Sequence, residues 1–217
     1  MNIVNLYPTP VGTYELEDVE EMNKGLAEFL YNMRSEGIDK TNQYTMSGPQ
    51  GFHTDFSLLK SDNFYIKLFH AKITEQIVFY YEYLTGENLN EKNVTLTSWG
   101  MIYGPGDHSL THTHPAADIA TAYYVKVPNN MLNDWRRQND EGLKNSLTTV
   151  MPGSFNHIDP RPAARWDFSF SKNSDNTVEV NEGTGTIFPG WLEHFVTPHY
   201  VEEDRICIAT NVFICKC

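Results

Sequence analysis

The chain is short of cationic side chains, of cysteine and of long apolar runs, and each shortage removes a class of function. Lys and Arg number 16 against 28 Asp and Glu, a formal net charge of −12. Nucleic acids are held through their phosphates by Lys and Arg, so neither DNA nor RNA is an expected partner. Trp135-Arg136-Arg137 and the stretch from Arg161 to Arg165 are the basic clusters, and both read as solvated loops. The cysteines, Cys207, Cys215 and Cys217, crowd the C-terminal end. An odd count with two of them two positions apart makes a poor disulfide framework, and reduced thiols in a cytoplasmic protein are the expectation. Cys207 alternates with Ile206 and Ile208 and reads as core. No apolar run is long enough to span a bilayer. The first residues, MNIVNLYPTPVGTYELEDVEE, carry no basic segment followed by an apolar one, so neither a signal peptide nor a membrane partner is expected.

What is present is the composition of a folded chain, 40% apolar and 20% charged. Pro8 and Pro10 make residues 1–15 an extended arm. Met22, Leu26, Phe29, Leu30 and Met33 fall at helical spacing within 17–35. A second helix is expected over 62–85, capped by Ser61 or Asp62, with 38–61 mainly loop. After residue 92 the pattern changes to short β-rich runs at 94–103, 119–127, 165–170, 177–180, 184–188 and 205–214, separated by Gly, Pro, Asn and Asp. One domain is expected, with 1–92 supplying an arm and supporting helices and 93–217 a mainly β, antiparallel core of jelly-roll type. Residues 129–149 interrupt the β pattern. MLNDWRRQNDEGLKN within them suits a short helix in the place of a lid or substrate loop.

The richest chemistry lies between Tyr103 and Tyr124, which hold His108, His112, His114 and Asp118. His112 and His114 are two apart, so an extended segment turns both imidazoles to one face, and Pro115 biases His114 toward that geometry. His194 follows in FPGWLEHFVTPH as a third candidate ligand, with Trp191 and Phe195 placed to shield an ion from water. His53, His70, His157 and His199 read as surface or structural residues, with His108 and His199 near enough in sequence to support the ligands from behind. Arg205 opens the apolar strand RICIATNVFI. A buried charge requires a partner, either an ion pair with Glu202, Glu203 or Asp204 or a dicarboxylate co-substrate. Two close ligands, a distant His and a downstream Arg suit a mononuclear non-haem iron site with open positions for a co-substrate and O2.

Several segments carry a family resemblance: Tyr103-Gly-Pro-Gly106, His112-Thr-His114, Ala120-Thr-Ala-Tyr-Tyr124-Val, Gly185-Thr-Ile-Phe-Pro189, His194 and Arg205. They resemble the 2-oxoglutarate/Fe(II)-dependent dioxygenases of the prolyl-hydroxylase-like branch. They are closer still to a group from phages and bacteria with His-x-His-Pro in place of His-x-Asp. Tyr7-Pro-Thr-Pro10, Phe155-Asn-His-Ile-Asp159-Pro160 and the run from Arg205 to Asn211 echo that group. The resemblance implies a double-stranded β-helix, cupin-like, with the metal in the barrel mouth. It implies Fe(II) on His112, His114 and His194, with Asp118 as the alternative to His114. It implies 2-oxoglutarate as co-substrate, its far carboxylate held by Arg205 with Tyr124 and Tyr103. No catalytic side chain beyond the metal centre is implied. The reaction would consume O2, release succinate and CO2, and hydroxylate an unidentified small-molecule or peptidyl substrate, chosen by residues 38–61 and 129–165. A homodimer is an allowed assembly, and a phage-encoded chain would work in the host cytoplasm. Two other readings stay open: a cupin-like metal-binding domain, and a 2-oxoglutarate-independent three-His dioxygenase or isomerase. Halogenation is discounted, because His114 fills the room that halogenase relatives leave for halide.

Overall fold

Two helical periodicities and a series of short apolar runs become two helices laid against one of two antiparallel sheets. The computed structural model describes residues 1, 8–38, 51–129, 131, 151–161 and 175–215. Its strands are β1 (Gly12–Glu15), β2 (Phe52–His53), β3 (Val94–Tyr103), β4 (Ser109–His112), β5 (Ile119–Lys126), β6 (Phe155–Ile158), β7 (Asp175–Val178), β8 (Thr184–Pro189), β9 (His194–Val196) and β10 (Arg205–Ile214). The helices are α1 (Glu20–Ser35) and α2 (Phe64–Thr85). The larger sheet runs β1-β8-β5-β10-β3-β2 and the smaller β4-β9-β6-β7. This is the expected double-stranded β-helix with its supporting helices.

The helices form where expected, for reasons local to the chain. Glu20 and Glu21 sit in the first turn of α1 and Arg34 in its last, each matched to the helix dipole. The α2 cap differs from expectation. Asn63, not Ser61 or Asp62, holds that place, its side-chain oxygen accepting from the backbone N–H of Tyr65 and Ile66 at 2.9 and 3.2 Å. Ser61 instead adopts extended backbone, and its hydroxyl accepts from the Asn63 N–H. Gly86, at φ 71°, closes the helix in the left-handed conformation that glycine adopts at least cost.

The large sheet has a core on each face. Toward the helices, Leu26, Leu30, Phe69, Ile73, Tyr123 and Ile208 are buried together. Gly100 lets α1 come close, since a Cβ there would stand 2.4 Å from a Leu30 methyl. Between the sheets lie Ala122, Tyr124, Phe155, Phe188, Leu192 and Cys207. Strand alternation divides the adjacent tyrosines of β5. The Tyr123 hydroxyl donates to Asn23 under the helices, while Tyr124 points between the sheets.

β3 and β10 occupy the expected residues, and β5, β7 and β8 differ at their ends by one or two. The expected run 165–170 and nearly all of 129–149 lie outside the described residues. β2 and β6 form in stretches with no clear alternation. β2 pairs with β3 and β6 with β9 and β7, so the ladder rather than local pattern defines them. Among the described residues, no helix is long and apolar enough to cross a membrane.

Candidate metal centre

Pairing between β4 and β9 sets His112 directly opposite His194. β4 ends at His112, so His114 is not on the strand as its spacing suggested. It is held by its backbone N–H, which donates to the Gly190 carbonyl at 2.8 Å. Only glycine suits position 190, because a Cβ there would lie 2.3 Å from the Ala117 oxygen. The three imidazoles still converge. Each offers a ring nitrogen, all within 4.8 Å of one another, and the Nε2 atoms of His114 and His194 stand 3.1 Å apart. Two nitrogens at right angles on an ion with bonds of about 2.1 Å would be about 3 Å apart.

Hydrogen bonding and burial prepare these rings for a metal. Nδ1 of His112 donates to the Leu110 carbonyl at 2.7 Å, and Nδ1 of His194 to the Leu192 carbonyl at 2.8 Å. A carbonyl can only accept, so the proton sits on Nδ1 and the neutral ring keeps its Nε2 lone pair for a metal. Burial lowers the His112 pKa. Burial, then repulsion from His112, takes His114 to about 3. Burial and its imidazole neighbours take His194 to about 2.

The surrounding wall is aromatic, but not from the expected residues. Phe155 stacks on His194 with ring centres 5.1 Å apart, Phe188 meets the same ring edge-on at 4.8 Å, and Trp99 lies 5.7 Å from His114. Trp191 is 53% exposed and Phe195 half-buried, and neither lines the cavity in front of the imidazoles. Phe155 and Phe188 sit on β6 and β8, whose inward faces are legible only once the strands are paired.

That cavity has a volume of about 390 Å³ and also receives Arg205, Tyr103 and Tyr124. Arg205 is 2% exposed. One guanidinium nitrogen donates to the Gly153 carbonyl at 2.6 Å, whereas Nε has no partner. Among the described residues it makes no ion pair, and Asp204 pairs instead with Arg34 at 3.0 Å. The guanidinium lies 5.2 Å from the centre of the Tyr103 ring and 5.9 Å from that of Tyr124. The Tyr124 hydroxyl is buried without a partner, and burial raises its pKa far above the usual tyrosine value. The Tyr103 hydroxyl bonds Ser109 Oγ at 2.7 Å.

The remaining histidines separate. His199, read as a surface or supporting residue, is buried and donates from Nε2 to the Tyr103 carbonyl at 3.1 Å, behind the Arg205 end. His157 is also buried, the structural of its two expected places, and lies across the ladder from His194. His53 is buried, lines the cavity and stacks on Trp99 with ring centres 5.9 Å apart. His108 bonds the Gly106 carbonyl and lies outside the cavity lining. Sequence reasoning also passed over Asn211 as a site residue. Its Oδ1 is buried without a partner, and it lines the cavity six residues along β10 from Arg205. Its polar side chain in an apolar strand was the available signal.

Asp118 is directed elsewhere. Its carboxylate accepts from the Ile214 N–H at 2.7 Å and lines a separate hollow with Tyr80, Leu84 and Pro189. Asp118→Ala is therefore expected to cost about 1–2 kcal/mol of stability and leave metal content unchanged. Thermal denaturation with elemental analysis checks both. Lost iron with an unchanged melting temperature would return Asp118 to the ligand set.

Comparison with known proteins gives a family and a fold. The family model described as "Putative 2OG-Fe(II) oxygenase" matches residues 97–211, just over half of the chain. Among solved structures, a Pseudomonas putida prolyl-4-hydroxylase superposes with a TM-score of 0.62 at 12% identity, covering 96% of this chain and 94% of that one. A Trichoplax adhaerens prolyl hydroxylase, in complex with a hypoxia inducible factor peptide fragment, gives 0.57 at 13% identity, covering 94% and 83%. HygX of Streptomyces hygroscopicus, with nickel and 2-oxoglutarate bound, gives 0.57 at 10% identity, with the same coverage. At these identities the superpositions speak for the fold. No curated protein sequence matches the chain.

Proposed function

The chain belongs to this family of 2OG-Fe(II) oxygenases, and from that premise we propose that it hydroxylates a C–H bond of a substrate while converting 2-oxoglutarate to succinate and CO2. The observation that carries this reading is the placement of Arg205. Arg205 and Tyr124 line the cavity that receives three convergent imidazoles, and each keeps a buried polar atom, Nε and the hydroxyl, without a partner. His112, His114 and His194 would hold the metal through their ring nitrogens. Bound there, Fe(II) with 2-oxoglutarate and O2 supplies the oxidising power. The chain's own part is positional. The Nδ1–H bonds of His112 and His194 fix their rings. Arg205 and Tyr124 donate to the far carboxylate of the co-substrate, with Tyr103 packed against the guanidinium. Phe155, Phe188 and Trp99 exclude water beside the metal.

The three-His set also suits a dioxygenase that needs no 2-oxoglutarate, and one assay separates the two. The Fe(II)-loaded protein with ascorbate and O2 is expected to form succinate from 2-oxoglutarate above the protein-free rate. Uncoupled turnover makes this measurable without the prime substrate. Oxygen uptake indifferent to 2-oxoglutarate would favour the other enzyme.

A further inference from the structure

Two neighbours aim the Arg205 guanidinium. The Gly153 carbonyl accepts from it at 2.6 Å, and the centre of the Tyr103 ring lies 5.2 Å from it. Both neighbours are tied to residues 197–199, where the chain leaves β9 on its way to β10. On the Gly153 side, the Gly153 N–H donates to the Pro198 carbonyl at 3.1 Å. The Thr197 N–H donates to the Ser154 carbonyl at 3.1 Å, and Thr197 Oγ1 accepts from the Ser154 N–H at 2.9 Å. On the other side, Tyr103 ends β3 directly opposite Arg205. Nε2 of His199 donates to the Tyr103 carbonyl at 3.1 Å, and the His199 carbonyl accepts from the Gly106 N–H at 2.6 Å. Asp107 closes the same turn, its carboxylate accepting from the Gly104 N–H at 2.9 Å. His199 and Asp107 are 1% and 4% exposed, and neither lines the cavity.

The place calls for an uncharged donor. Burial holds the His199 pKa below the usual histidine value, and the nearby Arg205 pushes the same way, against the Tyr103 carbonyl and the Asp107 carboxylate. The ring is neutral, with its proton on Nε2, because a carbonyl can only accept. A lysine here would set a second positive charge beside the guanidinium.

We propose that His199 is a positioning residue for 2-oxoglutarate: its bond to the Tyr103 carbonyl locks the segment before β10 to the end of β3, and so fixes where Arg205 meets the far carboxylate. The inference rests on the co-substrate reading above. A charge-assisted hydrogen bond is directional and weakens steeply as its angle closes, so a small turn of the guanidinium costs affinity. The metal end of the co-substrate does not depend on this lock, since His199 shares no hydrogen bond with His112, His114 or His194.

The test titrates the anaerobic Fe(II) protein with two 2-oxo acids and follows the charge-transfer absorption. One is 2-oxoglutarate. The other is 2-oxopentanoate, which has the same keto-acid end and a methyl group in place of the far carboxylate. His199→Ala is expected to bind 2-oxoglutarate about tenfold more weakly, within the range that a charge-assisted bond contributes. Its affinity for 2-oxopentanoate and its iron content are expected to match wild type. His199→Leu, which fills the space without a donor, should behave alike and serves if the alanine variant does not fold. His199→Gln supplies a neutral N–H donor and is expected to restore most of the preference for 2-oxoglutarate. Equal losses for the two acids, an unchanged 2-oxoglutarate constant in a folded variant without the donor, or no recovery in His199→Gln would make His199 a packing residue and overturn the inference. A wild type that does not prefer 2-oxoglutarate to 2-oxopentanoate would instead overturn the co-substrate reading, and this inference with it.

Discussion

His112→Ala and His194→Ala are each expected to empty the metal site while the chain stays folded. The two imidazoles face each other across the β4–β9 ladder, their ring centres 4.2 Å apart, so each variant removes one of the three nitrogens that converge there. Hydrogen-bond partners behind a ligand are worth about ten- to a hundredfold in metal affinity. Loss of a ligand itself should exceed that. Iron measured by elemental analysis after dialysis is expected to fall to background in both variants, with the far-ultraviolet circular dichroism of the wild type. His112 is at the open side of the site and should be the milder change for folding. His194 is packed under Phe155 and Phe188, so its truncation also leaves a small void and a lower melting temperature. Wild-type iron in both variants would move the metal elsewhere.

Arg205→Ala is expected to retain iron and weaken 2-oxoglutarate binding. A charge-assisted bond to the far carboxylate contributes about 1.5–3 kcal/mol, or about ten- to a hundredfold in affinity. Among the described residues Arg205 makes no hydrogen bond to an imidazole of the site, its contacts being with Gly153, Tyr103 and Tyr124, so metal content serves as an internal control. The anaerobic Fe(II) protein titrated with 2-oxoglutarate, followed by its charge-transfer absorption, gives the dissociation constant. An unchanged constant would leave Arg205 with a structural duty only, its bond to the Gly153 carbonyl.

How far the site is legible in the sequence follows from how local each determinant is. β10 could be bounded to the residue because apolar positions fill it from Arg205 onward and it is buried almost throughout. The same burial makes Arg205 conspicuous, since a lone guanidinium heading such a strand must be satisfied. Tyr124 rather than Tyr123 could be assigned to the cavity from alternation once the family pattern fixed the phase. The geometry of His114 was not readable. Period-two spacing puts two side chains on one face only while the strand lasts, and β4 stops at His112. The bond from the His114 N–H to Gly190 brings the ring into place, and that contact joins residues 76 positions apart. The aromatic wall was misassigned for a related reason. Trp191 is close to His194 in sequence but lies in the turn before β9, whereas Phe155 reaches His194 through the pairing of β6 with β9. His157 and His199 read as surface or structural, and their flanking residues could not decide between the two because their burial comes from segments distant in sequence.

The central claim is that one cavity holds the metal on His112, His114 and His194 and the co-substrate on Arg205. Anomalous diffraction at the iron edge, from crystals grown without O2 in Fe(II) and 2-oxoglutarate, measures both at once. The account predicts one iron peak within bonding distance of a nitrogen of each imidazole, with the far carboxylate of 2-oxoglutarate against Arg205 and the Tyr124 hydroxyl. A peak on Asp118 with His114 turned away, or 2-oxoglutarate bound without contact to Arg205, would contradict it.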